Sequence, residues 1–358
     1  MRRLKYGLCG MVLALTMVTG CGNGSTDQGK EMQSAEGNQE KLRVVTTIFP
    51  EYDWVREIVG EDTDGVDLTL LLDNGVDLHS YQPTADDIMK IADCDLFIYV
   101  GGESDEWVED ALAEAVNQDM QVIDLLDVLG DVVKEEEIVE GMEAEHDHED
   151  GEEEQDHEDG EQEHDHEDGE EEHGHEDGEI EYDEHVWLSV KNAQILVDQI
   201  ADTMAEIAPA KAEQYRKNAD AYISDLKALD EEYQSAVADA KRDTVLFGDR
   251  FPFRYLADDY GLDYYAAFVG CSAETEASFE TIVFLANKVD ELGLQTVLTI
   301  EGQDHSVAET IVKNTASKDQ NIATMDSMQS TTSKDVQKGI TYLSVMKKNL
   351  EVLAEALQ

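Results

Sequence analysis

Short apolar runs that alternate with helical stretches, twice over, constrain this chain more than any other feature. Residues 42–49 (LRVVTTIF), 66–72 (VDLTLLL), 96–100 and 121–126 read as strands. Between them 52–59, 84–92 and 107–116 read as helices, the first ended by Gly60 and the second capped by Thr84. The same alternation returns in 243–358, with strands over 244–247, 263–268, 295–300 and 322–325 and helices over 253–260, 278–292, 307–314 and 335–357. Apolar strands separated by helices suit a parallel sheet covered on both faces. A helical block joins the two regions: 192–206 is amphipathic, Pro209 breaks it, and 211–238 runs on for about seven turns at ~3.6 residues each. In that last stretch Tyr215, Ala219, Tyr222, Leu226, Leu229 and Tyr233 recur at three- and four-residue steps. The expected fold class is α/β: two lobes, residues 42–189 and 242–358, joined through a helical connector over 190–241 whose long helix is rigid. In such sheets ligands bind beyond the carboxyl ends of strands, and two lobes share one such crevice between them.

The alternation is interrupted by a motif that cannot belong to any core. Residues 146–179 repeat a nine-residue unit, HDHEDGEEE, almost four times without one apolar residue. Structured sequence flanks it on both sides, so it reads as a disordered loop over 130–184 inserted in the first lobe, which costs little because closure entropy grows only logarithmically with length. It contains His146, His148, His157, His164, His166, His173 and His175, each among Asp and Glu. Imidazoles and carboxylates at this density suit loose binding of transition-metal ions. The net charge of the chain, -59, is concentrated here. So acidic a surface repels phosphate and argues against nucleic acid as a partner.

The first twenty residues are a targeting segment. Arg2, Arg3 and Lys5 precede an apolar stretch, 8–18, that is too short to span a bilayer, which takes ~20 apolar residues. It ends in Val18-Thr19-Gly20-Cys21, which resembles a bacterial lipobox, so Cys21 is the expected lipidation site, with 21–41 as a flexible tether. The expected location is extracytoplasmic, anchored to the cell membrane by lipid. Cys94 and Cys271 could pair in an exported protein; two separate thiols is the favoured reading.

Three histidines stand outside the repeat. His79 follows the strand VDLTLLL, His185 lies in DEHVWLS just after the insertion, and His305 follows the strand TVLTIE. A single histidine is most often a surface or core-edge residue. Here all three fall where loops of both lobes can meet. Asp249 and Glu301 also follow strand ends and are candidate oxygen ligands, although each is as well suited to capping a helix. Three imidazoles with one carboxylate favour Zn(II), whereas Mn(II) prefers more oxygen.

The segments TTIFP (46–50), GVDLHSYQPT (75–84), ADCDLFIYVGG (92–102) and DEHVWLSVKNA (183–193) resemble the zinc- and manganese-specific solute-binding proteins of bacterial ABC importers. The resemblance covers nearly all of the chain after the tether. It implies two Rossmann-like lobes joined by one long rigid helix, a metal cleft between them, and His79 and His185 as ligands. An acidic, His-rich loop is typical of the zinc branch of that family. That branch usually supplies a third His after the first strand of the second lobe, where this chain reads FGDRFPFRYL; Asp249 is the expected substitute. His305 and Glu301 fall in the fourth ligand region, and GCSAETEAS (270–278) resembles a segment near the interlobe cleft.

The function implied is extracytoplasmic capture of Zn2+ by a monomer and its delivery to an ABC permease in the membrane. The alternatives are a manganese or iron carrier of the same architecture, or a metal-sequestering or adhesin lipoprotein on the surface. An enzyme is not expected, as no HExxH, GxSxG or phosphate loop occurs. Binding requires neutral imidazoles, so affinity is expected to fall with pH, and first in the acidic loop.

Overall fold

The computed structural model describes residues 41–61, 63–143, 181–272, 276–302 and 304–358. The expected targeting segment, the expected tether up to residue 40 with Cys21, and the seven histidines of the repeat lie outside the described residues. No helix among the described residues is long and apolar enough to cross a membrane.

The first lobe runs β1 (Leu42–Thr46), α1 (Phe49–Val59), β2 (Val66–Leu70), α2 (Ala85–Asp93), β3 (Leu96–Tyr99), α3 (Trp107–Ala113), β4 (Gln121–Asp124) and α4 (Leu125–Leu129). After the insertion come α5 (Val190–Ile207) and α6 (Ala212–Ala238). The second lobe runs β5 (Thr244–Phe251), α7 (Arg254–Tyr260), β6 (Asp263–Val269), α8 (Phe279–Leu292), β7 (Thr296–Thr299), α9 (Ser306–Asn314), β8 (Asn321–Thr324), α10 (Ser333–Gln337) and α11 (Tyr342–Ala356). The two four-stranded sheets have orders β2-β1-β3-β4 and β6-β5-β7-β8, with parallel pairing throughout. The two α/β lobes expected from the alternation are therefore present.

Element ends differ from the periodic reading where capping decides. Pro50 does not close the first strand; it sits in the first turn of α1, where no backbone donor is needed. The Glu51 carboxylate caps that turn, accepting from the N–H of Thr47 at 2.8 Å and of Ile48 at 3.2 Å. The expected helix 335–357 is two helices, because Gly339 takes φ 98° and Thr341 caps α11 by accepting from the Ser344 N–H. The loop expected to be disordered over 130–184 is structured at its root. Glu135 pairs antiparallel with Tyr182, Glu143 bridges parallel to Phe268 on the edge strand β6, and the Tyr264 hydroxyl donates to Glu137 at 3.1 Å. The residues leading into the insertion are thus strapped to the second lobe.

One apolar cluster joins the lobes. It takes Trp54 and Ile58 from α1, Leu196 and Ile200 from α5, Leu226 and Tyr233 from α6, and Tyr342 and Met346 from α11, all fully buried. A smaller cluster of the second lobe alone packs Phe268, Leu285 and Ile311. Polar contacts reinforce the shared core: the Asp53 carboxylate accepts from the Tyr342 N–H at 2.8 Å, and the Tyr233 hydroxyl donates to Met346 O at 2.7 Å. α6, with about 40 Å of axis at 1.5 Å per residue, touches α1 and α5 as well as α7 and α11.

A buried carboxyl beneath the strand ends gives the fold a pH signature. Asp105 accepts from the N–H of Val100 at 3.0 Å and of Gly101 at 3.1 Å, while its other oxygen has no hydrogen-bond partner among the described residues. Burial first, then the Glu184 charge, pushes its pKa from 3.8 up to about 7. A carboxyl raised in the folded state binds a proton that the unfolded chain has lost. Its contribution is complete below the unfolded pKa and disappears as pH rises through about 7. Denaturant titrations between pH 5 and 7 are expected to show a loss of roughly 1 kcal/mol per pH unit from this group, a slope that Asp105→Asn removes.

Candidate metal centre

His79 is delivered by the loop after β2. The Asp77 carboxylate accepts from the His79 N–H at 3.0 Å and starts a 3-10 turn, Leu78–Ser80, that turns the imidazole inward. His185 comes from the segment that re-enters the fold after the insertion. One oxygen of Asp183 accepts from its backbone N–H at 2.9 Å and lies 3.0 Å from Nδ1, so a single carboxylate fixes both chain and ring. A 3-10 turn, Val186–Leu188, then leads into α5, which Ser189 caps.

The orientation of the two rings follows from their partners. A carboxylate only accepts, so the His185 Nδ1 beside Asp183 carries the hydrogen and Nε2 presents its lone pair. The His79 Nδ1 lies 2.8 Å from Ser104 Oγ and 3.3 Å from Glu184 Oε2. Glu184 can come this close because Gly102, at φ 84°, has no side chain; a Cβ there would lie 2.5 Å from Glu184 Oε1. Burial would raise the Glu184 pKa, but the bonds and charge of His79 and the bonds from Ser104 outweigh it and hold this carboxyl below its ordinary range. In its neutral form, with Nδ1 turned to Glu184 and Ser104, His79 also presents Nε2. The two Nε2 atoms face each other at 3.2 Å. Two lone pairs at that distance repel unless a cation lies between them. In a tetrahedral site with Zn–N of ~2.0–2.1 Å, two ligand nitrogens stand about 3.3–3.4 Å apart. A proton is the other candidate: burial opposes the charged His79 ring, but Glu184 and Asp77 outweigh it and raise its pKa.

A third donor comes from the second lobe. Among the described residues, His79, His185 and Cys271 offer ligand atoms that all lie within 4.8 Å of one another. Cys271 follows β6, and both it and Cys94 are free thiols. Gly270 lets its segment reach the site, since a Cβ there would meet Phe251 O at 3.0 Å and the His185 ring at 3.1 Å. Burial, then the charges of Asp183, Glu136 and Glu184, push the Cys271 thiol well up. Arg250 completes the surroundings. It donates to Ser272 O at 3.2 Å and to Asp77 Oδ2 at 2.8 Å, tying the turn of Cys271 to the loop of His79.

The remaining sequence candidates are not in this group of donors. Asp249 is turned to backbone, with Oδ1 accepting from the Arg250 N–H at 2.9 Å and Oδ2 from the Ile300 N–H at 3.3 Å. Glu301 is bound into the loop after β8, accepting from the Ser327 N–H at 2.6 Å, its hydroxyl at 2.7 Å and the Gln329 N–H at 3.1 Å. Burial, then the Asp326 charge, raises its pKa. His305 precedes α9, its Nδ1 buried without a hydrogen-bond partner among the described residues. Sequence reasoning weighed Cys271 only as a thiol that could pair with Cys94, and assigned neither it nor Asp183, Glu184 or Arg250 to the metal. Asp183 and Glu184 carried a signal, because a carboxylate beside a ligating His commonly sets its tautomer. Cys271 carried only its place in GCSAETEAS.

The model of the family "Zinc-uptake complex component A periplasmic" matches residues 44–356. A zinc-binding protein AdcA of Streptococcus pyogenes is 31% identical over 319 residues, 89% of this chain and 56% of that protein. This chain therefore spans about half the length of the streptococcal relatives it matches. The high-affinity zinc uptake system protein ZnuA of Bacillus subtilis is 31% identical over 352 residues, 98% of this chain and 97% of that protein. Among solved structures, the Zn(II)-bound ZnuA-like domain of Streptococcus pneumoniae AdcA is similar with a TM-score of 0.65 and 27% identity, covering 89% of this chain and 99% of that one.

Proposed function

The chain belongs to the family of periplasmic zinc-uptake component A, and on that premise we propose that it captures Zn(II) between its lobes and hands it to a membrane permease. The observation that carries this reading is the pair of inward Nε2 atoms, 3.2 Å apart, on rings whose other nitrogens are held by a carboxyl and a hydroxyl partner. Zn(II) suits imidazole donors in four-coordinate sites. His79 and His185 hold the ion, and Asp183 and Glu184 keep both rings in the ligating tautomer; a further ligand from the second lobe completes the site, for which His305, Asp249 and Glu301, the sequence candidates, would have to leave their present positions. α6 is the rigid connector of the two lobes. The carrier acts as a monomer on the outer face of the membrane, tethered by a lipid on Cys21. The repeat over 146–179 gathers Zn(II) weakly and raises its concentration near the cleft.

The test is a Zn(II) titration of the full chain and of a variant lacking 146–179, each repeated with competing Mn(II). One tight site is expected in both proteins, with the weak sites lost on deletion and Mn(II) unable to displace Zn(II). Loss of the tight site with the loop would assign the ion to the repeat. Displacement by equimolar Mn(II) would make this a manganese carrier.

A further inference from the structure

We infer that Cys271 is the third protein ligand of the cleft, making it a mixed imidazole–thiolate site that selects thiophilic divalent ions. This rests on the reading of the cleft as the cargo site. The ligand set commonly expected from the sequence, imidazoles completed by a carboxylate, contains no sulfur.

Three independent contacts bring the sulfur to the two histidines. Gly270 removes the side chain that would strike the His185 ring at 3.1 Å, so the turn after β6 can lie against it. The Glu136 carboxylate, at the root of the insertion, accepts from the Cys271 N–H at 3.3 Å. Arg250 clamps the neighbouring Ser272 carbonyl and the Asp77 carboxylate together, at 3.2 and 2.8 Å. That guanidinium lies in FGDRFPFRYL, the segment expected to supply another ligand, and a guanidinium cannot ligate a cation. With Zn–S of ~2.3 Å and Zn–N of ~2.0–2.1 Å, sulfur and nitrogen stand about 3.6 Å apart in a tetrahedral site. The three donors, within 4.8 Å of one another, lie within roughly 1 Å of that spacing.

The surroundings suit a divalent cation with a thiolate. Asp183, Glu184, Glu136 and Asp77 lie around the donors and Arg250 is paired with Asp77. As the metal–sulfur bond forms, the thiol proton leaves to solvent. A thiolate beside two imidazoles favours Zn(II), Co(II) and Cd(II) over Mn(II) or Mg(II), which prefer oxygen.

Co(II) bound to the purified full chain tests this, because a thiolate ligand adds an ultraviolet charge-transfer band that imidazole and carboxylate do not. The band is expected in the native protein and in Cys94→Ser, and is expected to be lost in Cys271→Ser, whose Zn(II) affinity falls at least about 100-fold. Alkylation of the native protein provides a measurement free of any folding defect: saturating Zn(II) is expected to slow iodoacetamide modification of Cys271, mapped by mass spectrometry, by about tenfold or more. Tight Zn(II) and Co(II) binding without the band, or with unchanged alkylation, would overturn the sulfur ligand and leave the zinc-carrier reading intact. A native protein without tight binding of either ion would overturn both.

Discussion

Replacing His185 by Ala is expected to weaken tight Zn(II) binding by about 10²- to 10³-fold. The apparent free energy of a structural zinc site, ~10–16 kcal/mol, divided over four ligands gives about 2.5–4 kcal/mol each. His185 is fully buried, and its ring is the one that Asp183 fixes through both its backbone and its Nδ1. Removing it leaves the His79 Nε2 without its opposite donor. Chelator competition on the variant lacking 146–179 isolates the cleft from any ion that the repeat takes up. An affinity within threefold of the parent would mean that the ion is held elsewhere. Circular dichroism distinguishes loss of a ligand from loss of the fold.

Trp187→Ala is expected to destabilise the metal-free protein by ~3–5 kcal/mol, the usual range for a buried large aromatic. The indole is fully buried between the lobes, with its ring centroid 5.2 Å from that of His185. Its Nε1–H donates to Ser327 O at 2.9 Å, and its carbonyl accepts from the Tyr342 hydroxyl at 2.7 Å. The first bond ties the metal segment to the loop that Glu301 organises, and the second ties it to the last helix. Trp187→Phe retains most of the volume and loses the Nε1–H bond, so about 1–3 kcal/mol is expected from the Ser327 carbonyl left unpaired. Urea unfolding in the presence of a chelator measures both. Equal losses in the two variants would show that the hydrogen bond, and not the packing, holds the segment.

The lobes and their elements were legible because apolar period and turn residues are local signals. Pro50 and Gly339 misled the element ends for a local reason too: a helix accepts Pro in its first turn, and a glycine at positive φ can divide an otherwise continuous helical pattern. His79 and His185 were legible because His79 follows a strand end, His185 lies in DEHVWLS just after the insertion, and both stand in the segments that carry the family resemblance. Cys271 and Arg250 were not. Their roles arise only when the turn after β6 folds against His185 and a guanidinium reaches Asp77, 173 positions away in sequence. The ordered root of the insertion was hidden in the same way, since the pairing of Glu143 with Phe268 joins two lobes and leaves no periodic trace.

The apolar core shared by α1, α5, α6 and α11 bears on how an ion leaves. Parting the lobes like a clamshell would bring Trp54, Tyr233 and Tyr342, all fully buried, into water. At about 25 cal/mol per Å² of apolar surface, and 150–250 Å² for each aromatic ring, that opening costs on the order of 10 kcal/mol for these three residues alone. Exit by displacement of the strand-end turns is less costly, because their contacts at Asp77, Ser104 and Glu136 are polar and can be exchanged for water. Unloading is therefore expected to resemble the lifting of a latch, with the body of the molecule standing still.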